Sequence, residues 1–232
     1  MKAFRSITAA LLLAVVALVS TGSRQFDGTS QYVSVATAPV TALPMTIAAW
    51  VYADSTAAAM SIGMVGSAAS TRCQIGFGSG GLPNAVTATT GGASVQAQSV
   101  TGLSANTWHH IVGTFTSSTD RKVFANGAQV GSNTSSSTIG TLDRVLVGAR
   151  VNSSAVGLYW AGRIAEFAVW DITLSAADIA SLAAGARPNR VRPGALRLYL
   201  PLVGQASPEQ NLIGLSGTLT NAPTQVSHPR IY

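Results

Sequence analysis

The chain has 232 residues, of which 47% are apolar and only 9% charged, with 14 basic and 8 acidic side chains giving a formal charge of +6. That apolar share can offset the entropy of ordering a chain, which excludes a mainly disordered protein, and the length suits one sizeable sandwich domain. The single cysteine, Cys73, excludes an intrachain disulfide and a multi-cysteine zinc site, and arginines without a basic run or interleaved aromatics give no nucleic-acid footprint.

Residues 1–22 read as a leader. Lys2 and Arg5 precede the apolar run Ile7 to Val19, and small polar residues follow from Ser20 to Ser23. A helix over that run rises roughly 20 Å, short of a ~30 Å hydrocarbon core, so the segment reads as an export signal that leaves no stable membrane span after removal. The destination it implies is secreted or cell-surface.

Beyond the leader, short apolar runs alternate with turns. An Asp27-Gly28 turn leads to a short strand containing Tyr32, Val33 and Val35. Met45 to Ala53 is apolar on both alternating sets, which predicts a central strand covered on both faces. Weaker strands follow at Met60 to Val65 and Cys73 to Phe77, and one or two more between Ala85 and Ala97. Trp108 to Thr116 and Arg121 to Ala125 are neighbouring strands, and Asn126-Gly127 supplies the positive dihedrals of a type I′ hairpin. Val145 to Val147 and Arg163 to Trp170 complete the strands. In the last, strict alternation places Ile164, Glu166, Ala168 and Trp170 on one face. A single helix is signalled by Ser175 as N-cap, Asp178 in its first turn, Ile179 and Leu182 facing the sandwich, and Gly185 as the stop. These elements define an all-β, two-sheet antiparallel sandwich over residues 23–185 with one short helix towards its C-terminal side, followed by an extension over 186–232.

The order of FDGTSQYVSV (Phe26 to Val35), TIAAWVYAD (Thr46 to Asp54), WHHIVGTFTSSTDRKVFANGAQV (Trp108 to Val130), VLVGAR (Val145 to Arg150) and GRIAEFAVWDITLSAADIASL (Gly162 to Leu182) resembles the laminin G-like jelly rolls. These are small members of the concanavalin A-like lectin and glucanase fold. The resemblance implies two curved antiparallel sheets in a jelly roll, and binding of glycans, proteins or calcium. Leu196 to Val203 and Gly217 to Pro223 are similar to text that usually precedes the first core strand in that family. The expectation is that residues 196–226 fold back to add a strand, as in a circular permutation. The layout ending in His228 to Tyr232 also resembles small phage and prophage members, which keeps open a virion decoration protein packing on capsid or tail proteins.

Catalytic patterns are sparse. Glycoside hydrolysis needs two carboxyl groups flanking one bond, yet no two of the eight acids lie closer than five positions, and Glu166 with Asp171 has the odd spacing that points to opposite faces. The reading is therefore a non-catalytic binding or adhesion module for glycan or protein surfaces, with a hydrolase the weakest alternative. His109 and His110 are adjacent on a strand and cannot share an ion; one is expected inward and hydrogen-bonded, the other at the surface. Asp27, Asp120 and Asp143 sit in turns and are weak calcium ligands, better suited to capping hairpins. Trp50, Trp108 and Trp170 are expected in the core, and Trp160 at the sandwich edge. Tyr159 with Arg150 and Asn152, around a Ser/Gly-rich loop, forms the candidate ligand site: a sugar face stacks on the ring while amide and guanidinium bind its hydroxyls.

Overall fold

The computed structural model describes residues 22–152, 154–203, 207–209 and 211–228. The leader segment, but for Gly22, and the residues after His228 lie outside them. In chain order the strands begin with β1 (Gly22–Asp27), β2 (Tyr32–Val35), β3 (Met45–Ala53), β4 (Met60–Gly66), β5 (Arg72–Gly78) and β6 (Leu82–Ala88). They continue with β7 (Ser94–Gln98), β8 (Trp108–Ser117), β9 (Asp120–Ala125), β10 (Ala128–Asn133), β11 (Arg144–Val147), β12 (Arg150–Asn152) and β13 (Ala155–Gly157). The last are β14 (Ala161–Trp170), then helix α1 (Ala176–Ala183), and finally β15 (Leu196–Leu200), β16 (Thr218–Thr220) and β17 (Thr224–Ser227).

Two large antiparallel sheets face one another. The first runs β10-β9-β8-β3-β14-β1-β17, with β15 also on β14; the second runs β16-β2-β11-β4-β5-β6-β7. The space between them is filled from both inner faces, by Ile47, Val51, Ile111, Phe115, Ile164 and Phe167 of the first and Val33, Val145, Ile62, Cys73, Ile75 and Phe77 of the second. This is the two-sheet sandwich that the alternating runs of the sequence predict, in the jelly-roll form that the resemblance implies. The 196–227 region contributes to both sheets: β15 and β17 join the first and β16 joins the second.

Local chemistry accounts for the sharpest features. Asn126 and Gly127 both take positive φ, 51° and 87°, which a type I′ turn requires, and Ala125 pairs with Ala128 across it. Helix α1 starts in a reciprocal capping box: the Ser175 hydroxyl accepts from the Asp178 N–H at 3.2 Å, and the Asp178 carboxylate accepts from the Ser175 N–H at 3.1 Å. It ends at Gly185 with φ 99°, where the Ala186 N–H returns to the Ser181 carbonyl. The apolar side of α1, Ile179 and Leu182, packs with Ala48, Val112, Phe124, Ala168, Trp170 and Tyr199 over the outer face of the first sheet.

Two expectations from strict alternation fail, for one reason each. In β14 a bulge sets Glu166 and Phe167 opposite the single residue Ala49, with Glu166 at φ 53°. The extra residue reverses the facing downstream. Ile164, Phe167 and Val169 all point into the sandwich, while Ala168 and Trp170 point to the helix. In β3 the outer face is covered only in its first half, at Ala48; Trp50 and Tyr52 beyond it are half-buried. Trp50 therefore lies outside the inter-sheet core.

Candidate functional site

The two outer faces differ in chemistry. Because Cys73, Ile75, Phe77, Ala85 and Ala97 point inward, their strand neighbours Arg72, Gln74, Asn84, Val86, Gln96 and Gln98 point to the outer face of the second sheet. Cross-strand register places Leu146, Met64, Gln74, Val86 and Gln96 in one row and Asn84 beside Gln98 in the next. The floor of this face is recessed: Arg72 is 2% and Gln74 3% exposed, whereas Gln96 is open to solvent and Gln98 half-buried. Arg72 spreads across the floor, donating Nε to Gln74 Oε1 at 2.9 Å and Nη1 to the Ser70 and Val151 carbonyls at 2.9 and 3.4 Å. On β7, Gln96 Nε2 donates to Gln98 Oε1 at 2.6 Å, so the amides brace one another.

The hairpin β12–β13 folds over one end of this face. Val151 packs on Met64 and Leu146, with Tyr32 and Val156 against them, and the Val151 N–H points to Met64 Sδ at 3.4 Å. Arg150 and Asn152 flank Val151 on the same strand, Asn152 exposed and Arg150 half-buried. Tyr159 follows the hairpin, half-buried, its hydroxyl donating to the Val156 carbonyl at 3.3 Å and its ring 6.4 Å from that of Tyr32. The three residues proposed from the sequence thus sit on and beside one hairpin bordering the polar face. Burial lowers the Arg150 pKa, and burial with the Arg150 charge lowers that of Arg72 to about 10. The amides Gln74, Asn84, Gln96 and Gln98 escaped the sequence reading; the usable signal was polar residues at i and i+2 in RCQIG and SVQAQ, whose alternate positions are apolar.

Other candidates fall elsewhere. Asp27 closes its own turn: Oδ1 accepts from the Thr29, Ser30 and Gln31 N–H groups at 2.9, 2.9 and 3.0 Å, and Oδ2 from the Ser30 hydroxyl at 2.8 Å. Slight burial raises its pKa, but these donors outweigh it and hold the carboxyl well below the usual range. Asp120 pairs with Lys122 at 3.6 Å and Asp143 with Arg144 at 2.6 Å. No three His, Cys, Asp or Glu side chains come together as a metal cage among the described residues. Cys73 is fully buried in the core, and burial pushes its thiol up to about 12 despite the Arg121 charge.

His109 and His110 are both buried, a correction to the expected inward and surface pair. His109 is held at Nε2 by the Ser104 carbonyl and at Nδ1 by the Asn126 amide, both at 3.1 Å. His110, on the outer face of the first sheet, has its ring centre 5.3 Å from that of Trp50, tilted against it, and shares a narrow gap with Glu166, Leu182 and Pro188. The outward position is not a surface position because the helix and the segment after it cover it. Glu166 accepts a hydrogen bond from the Tyr199 hydroxyl. Burial pushes its carboxyl up to about 7, against the Tyr199 bond and the Arg187 charge. Burial also lowers His110 to about 3. Beyond the helix the same face carries Trp108 and Tyr52, half-buried with ring centres 5.8 Å apart, with the Arg163 guanidinium 4.7 Å over Tyr52. Trp108, like Trp50, is therefore outside the core, while Trp160 and Trp170 are fully buried.

A family profile described as the concanavalin A-like lectin/glucanases superfamily matches residues 27–180. No curated protein matches the sequence. Among solved structures, a heptameric SAP-like pentraxin from Limulus polyphemus superposes with a TM-score of 0.68 at 13% identity, covering 92% of this chain and 98% of its own. A candidate carbohydrate-binding protein from Bacteroides ovatus gives 0.69 at 17%, covering 91% of this chain and 61% of its own. A CBM40 of the Ruminococcus gnavus IT-sialidase, bound to α2,3-sialyllactose, gives 0.51 at 17%, covering 61% and 84%. At these identities the likeness is one of fold. No helix among the described residues is long and apolar enough to cross a membrane.

Proposed function

Because the chain belongs to the concanavalin A-like lectin/glucanase superfamily, we propose that it is a non-catalytic recognition module whose ligand is a glycan, bound on the outer face of the second sheet. One observation carries this reading. A recessed floor of buried polar side chains, Arg72, Gln74 and Asn84, leads to the exposed Gln96; the hairpin over one end of it carries Asn152, and the Tyr159 ring lies on the other side of that hairpin, against Tyr32. Amides match sugar hydroxyls as both donors and acceptors, a guanidinium donates to their oxygens, and a ring offers an apolar surface to a pyranose face. Fold alone does not assign function in this superfamily, so the reading rests on these side chains. The known-structure neighbours whose names include carbohydrate binding or a bound sialyllactose support it.

The acids speak for recognition over hydrolysis. Glu166 has the raised pKa of a general acid, but it lies in a void too tight to hold a water, with a histidine and no second carboxylate lining it. Hydrolysis needs two carboxyl groups about 5 to 10 Å apart with a sugar between them. The other buried acid, Glu209, is paired with Arg24 at 2.6 Å.

A glycan array probed with the wild-type protein and with Asn152→Ala and Tyr159→Ala tests the proposal. The expected result is binding to a restricted set of glycans that both variants weaken by about tenfold or less, with melting temperatures near wild type. Unchanged array signals in both variants place the ligand elsewhere and overturn it.

A further inference from the structure

Resting on that reading of the second sheet's outer face, we propose that the Arg72–Arg150 end of the face is an anion subsite, and that the ligand is an acidic glycan whose carboxylate or sulfate docks there.

Arg72 Nη1 reaches the Val151 carbonyl, next in the chain to Arg150, at 3.4 Å, and neither guanidinium has a counter-charge among the described residues. Five ion pairs occur among the described residues, and their cations are Arg24, Lys122, Arg144, Arg192 and Arg197. Arg72 and Arg150 are in none of them. Arg72 is nearly fully buried, yet Gln74, Ser70 and Val151 offer it only neutral oxygens, and its Nη2 makes no hydrogen bond among the described residues. The Arg150 side chain is half-buried and makes neither a hydrogen bond nor an ion pair among the described residues. A buried charge is costly unless paired, and a second like charge beside it adds to the cost. Both effects are registered here, because burial and the neighbouring Arg150 together lower the Arg72 pKa.

An anion between the two removes both penalties at once. Guanidinium offers a planar fork of N–H donors that matches a carboxylate or a sulfate, and in a recessed site such bonds are weakly screened by salt. Asn152 and Gln96 then stand on the solvent side to take hydroxyls of the same ligand. The other buried arginine with only neutral acceptors, Arg121, serves structure: it spans Thr87, Asn133, Ser135 and Ser118, using Nε, Nη1 and Nη2. Its donors are spent, whereas those of Arg150 are not.

The test measures binding of the full chain to immobilised heparin, polygalacturonate and neutral dextran by surface plasmon resonance. Wild type is compared with Arg150→Gln, Arg150→Lys and Arg190→Gln, each checked by thermal melting. Arg190 is exposed on the short 3-10 turn Pro188–Arg190, packed near β15 of the first sheet, and controls for loss of net charge. The expected result is retention on at least one acidic matrix and not on dextran, about tenfold weaker in Arg150→Gln and little changed in Arg190→Gln. Arg150→Lys, which keeps the charge and loses the fork, falls between. Heparin alone assigns sulfate; polygalacturonate alone assigns carboxylate. Equal losses in Arg150→Gln and Arg190→Gln reduce the effect to net charge and overturn the subsite. Binding to neutral glycans with no acidic preference also overturns it while leaving the recognition function standing, and absence of binding to any glycan removes both.

Discussion

The outer faces of the two sheets have been put to opposite uses. On the first sheet, Ala48, Val112, Phe124, Ala168 and Trp170 are apolar and lie under α1 and the residues after it, so that part of the face is a second hydrophobic core. On the second sheet the corresponding positions are Arg72, Gln74, Asn84, Gln96 and Gln98, and the small cluster of Met64, Leu146 and Val151 serves mainly to seat one hairpin. One face contributes stability, and the exposed end of the other, at Gln96, is free to vary its polar groups at little cost to folding. Recognition is therefore expected on the face that packing does not occupy.

The contrast can be broken from either side. The largest effect is expected at Trp170, fully buried beneath the helix with its Nε1 donating to the Val191 carbonyl at 2.9 Å. Trp170→Ala should cost about 3–5 kcal/mol and lower the melting temperature by roughly 10 °C, with ligand binding at permissive temperature unaltered. Differential scanning calorimetry and the array together check this, and lost binding in a still-folded variant would mean the faces are coupled.

Glu166 comes next. Its carboxyl keeps its proton to about pH 7 in the fold but releases it near 4.5 when unfolded, so the stability it contributes is full below 4.5 and is lost as pH rises through 7. The loss amounts to about 3 kcal/mol at most. His110 works in the opposite sense: held neutral to about 3 against an ordinary 6.5, it contributes stability above 6.5 that is lost as pH falls towards 3. Glu166→Gln should melt increasingly above wild type between pH 4.5 and 7 and level off beyond. A pH-independent difference contradicts the buried-acid assignment.

Smaller effects sharpen the contrast. Ser175→Ala removes the capping box of α1 and should cost about 1 kcal/mol by urea unfolding, again without touching binding. Gln96→Ala, on the exposed end of the polar face, should change stability by no more than about 0.5 kcal/mol while weakening glycan binding measured by calorimetric titration. Were Gln96→Ala to destabilise the fold as Ser175→Ala does, the second face would be structural as well.

What could be read from the residues beforehand was what local chemistry dictates. Asn126-Gly127 takes two positive dihedrals at short range, and Ser175 with Asp178 closes a box within one helical turn, so both were visible without tertiary knowledge. The bulge at Glu166 and Phe167 was not, because alternation assumes one residue per pair and only the neighbouring strand reveals two against one. The apolar neighbours of Trp50 and Trp108 point to a core position, although which half of an outer face a helix covers is decided far along the chain. Residue type singles out Arg150, Asn152 and Tyr159, yet the loop expected around them is a hairpin pinned by Val151 and Val156. The amide row stayed hidden because it is assembled across β5, β6 and β7, one or two side chains per strand.

The pairing of β17 with β1, Gly22 against Ser227 through Gln25 against Thr224, carries a consequence for biosynthesis. A chain made from its amino end cannot close this edge of the first sheet, nor lay β16 on β2, until about two hundred further residues have been translated. Until then β1 and β2 each present an unpaired strand edge to their surroundings. Their partners arrive together, so the two sheets gain their last strands in one late step, and a pause or truncation before Thr218 leaves both templates open to other nascent chains.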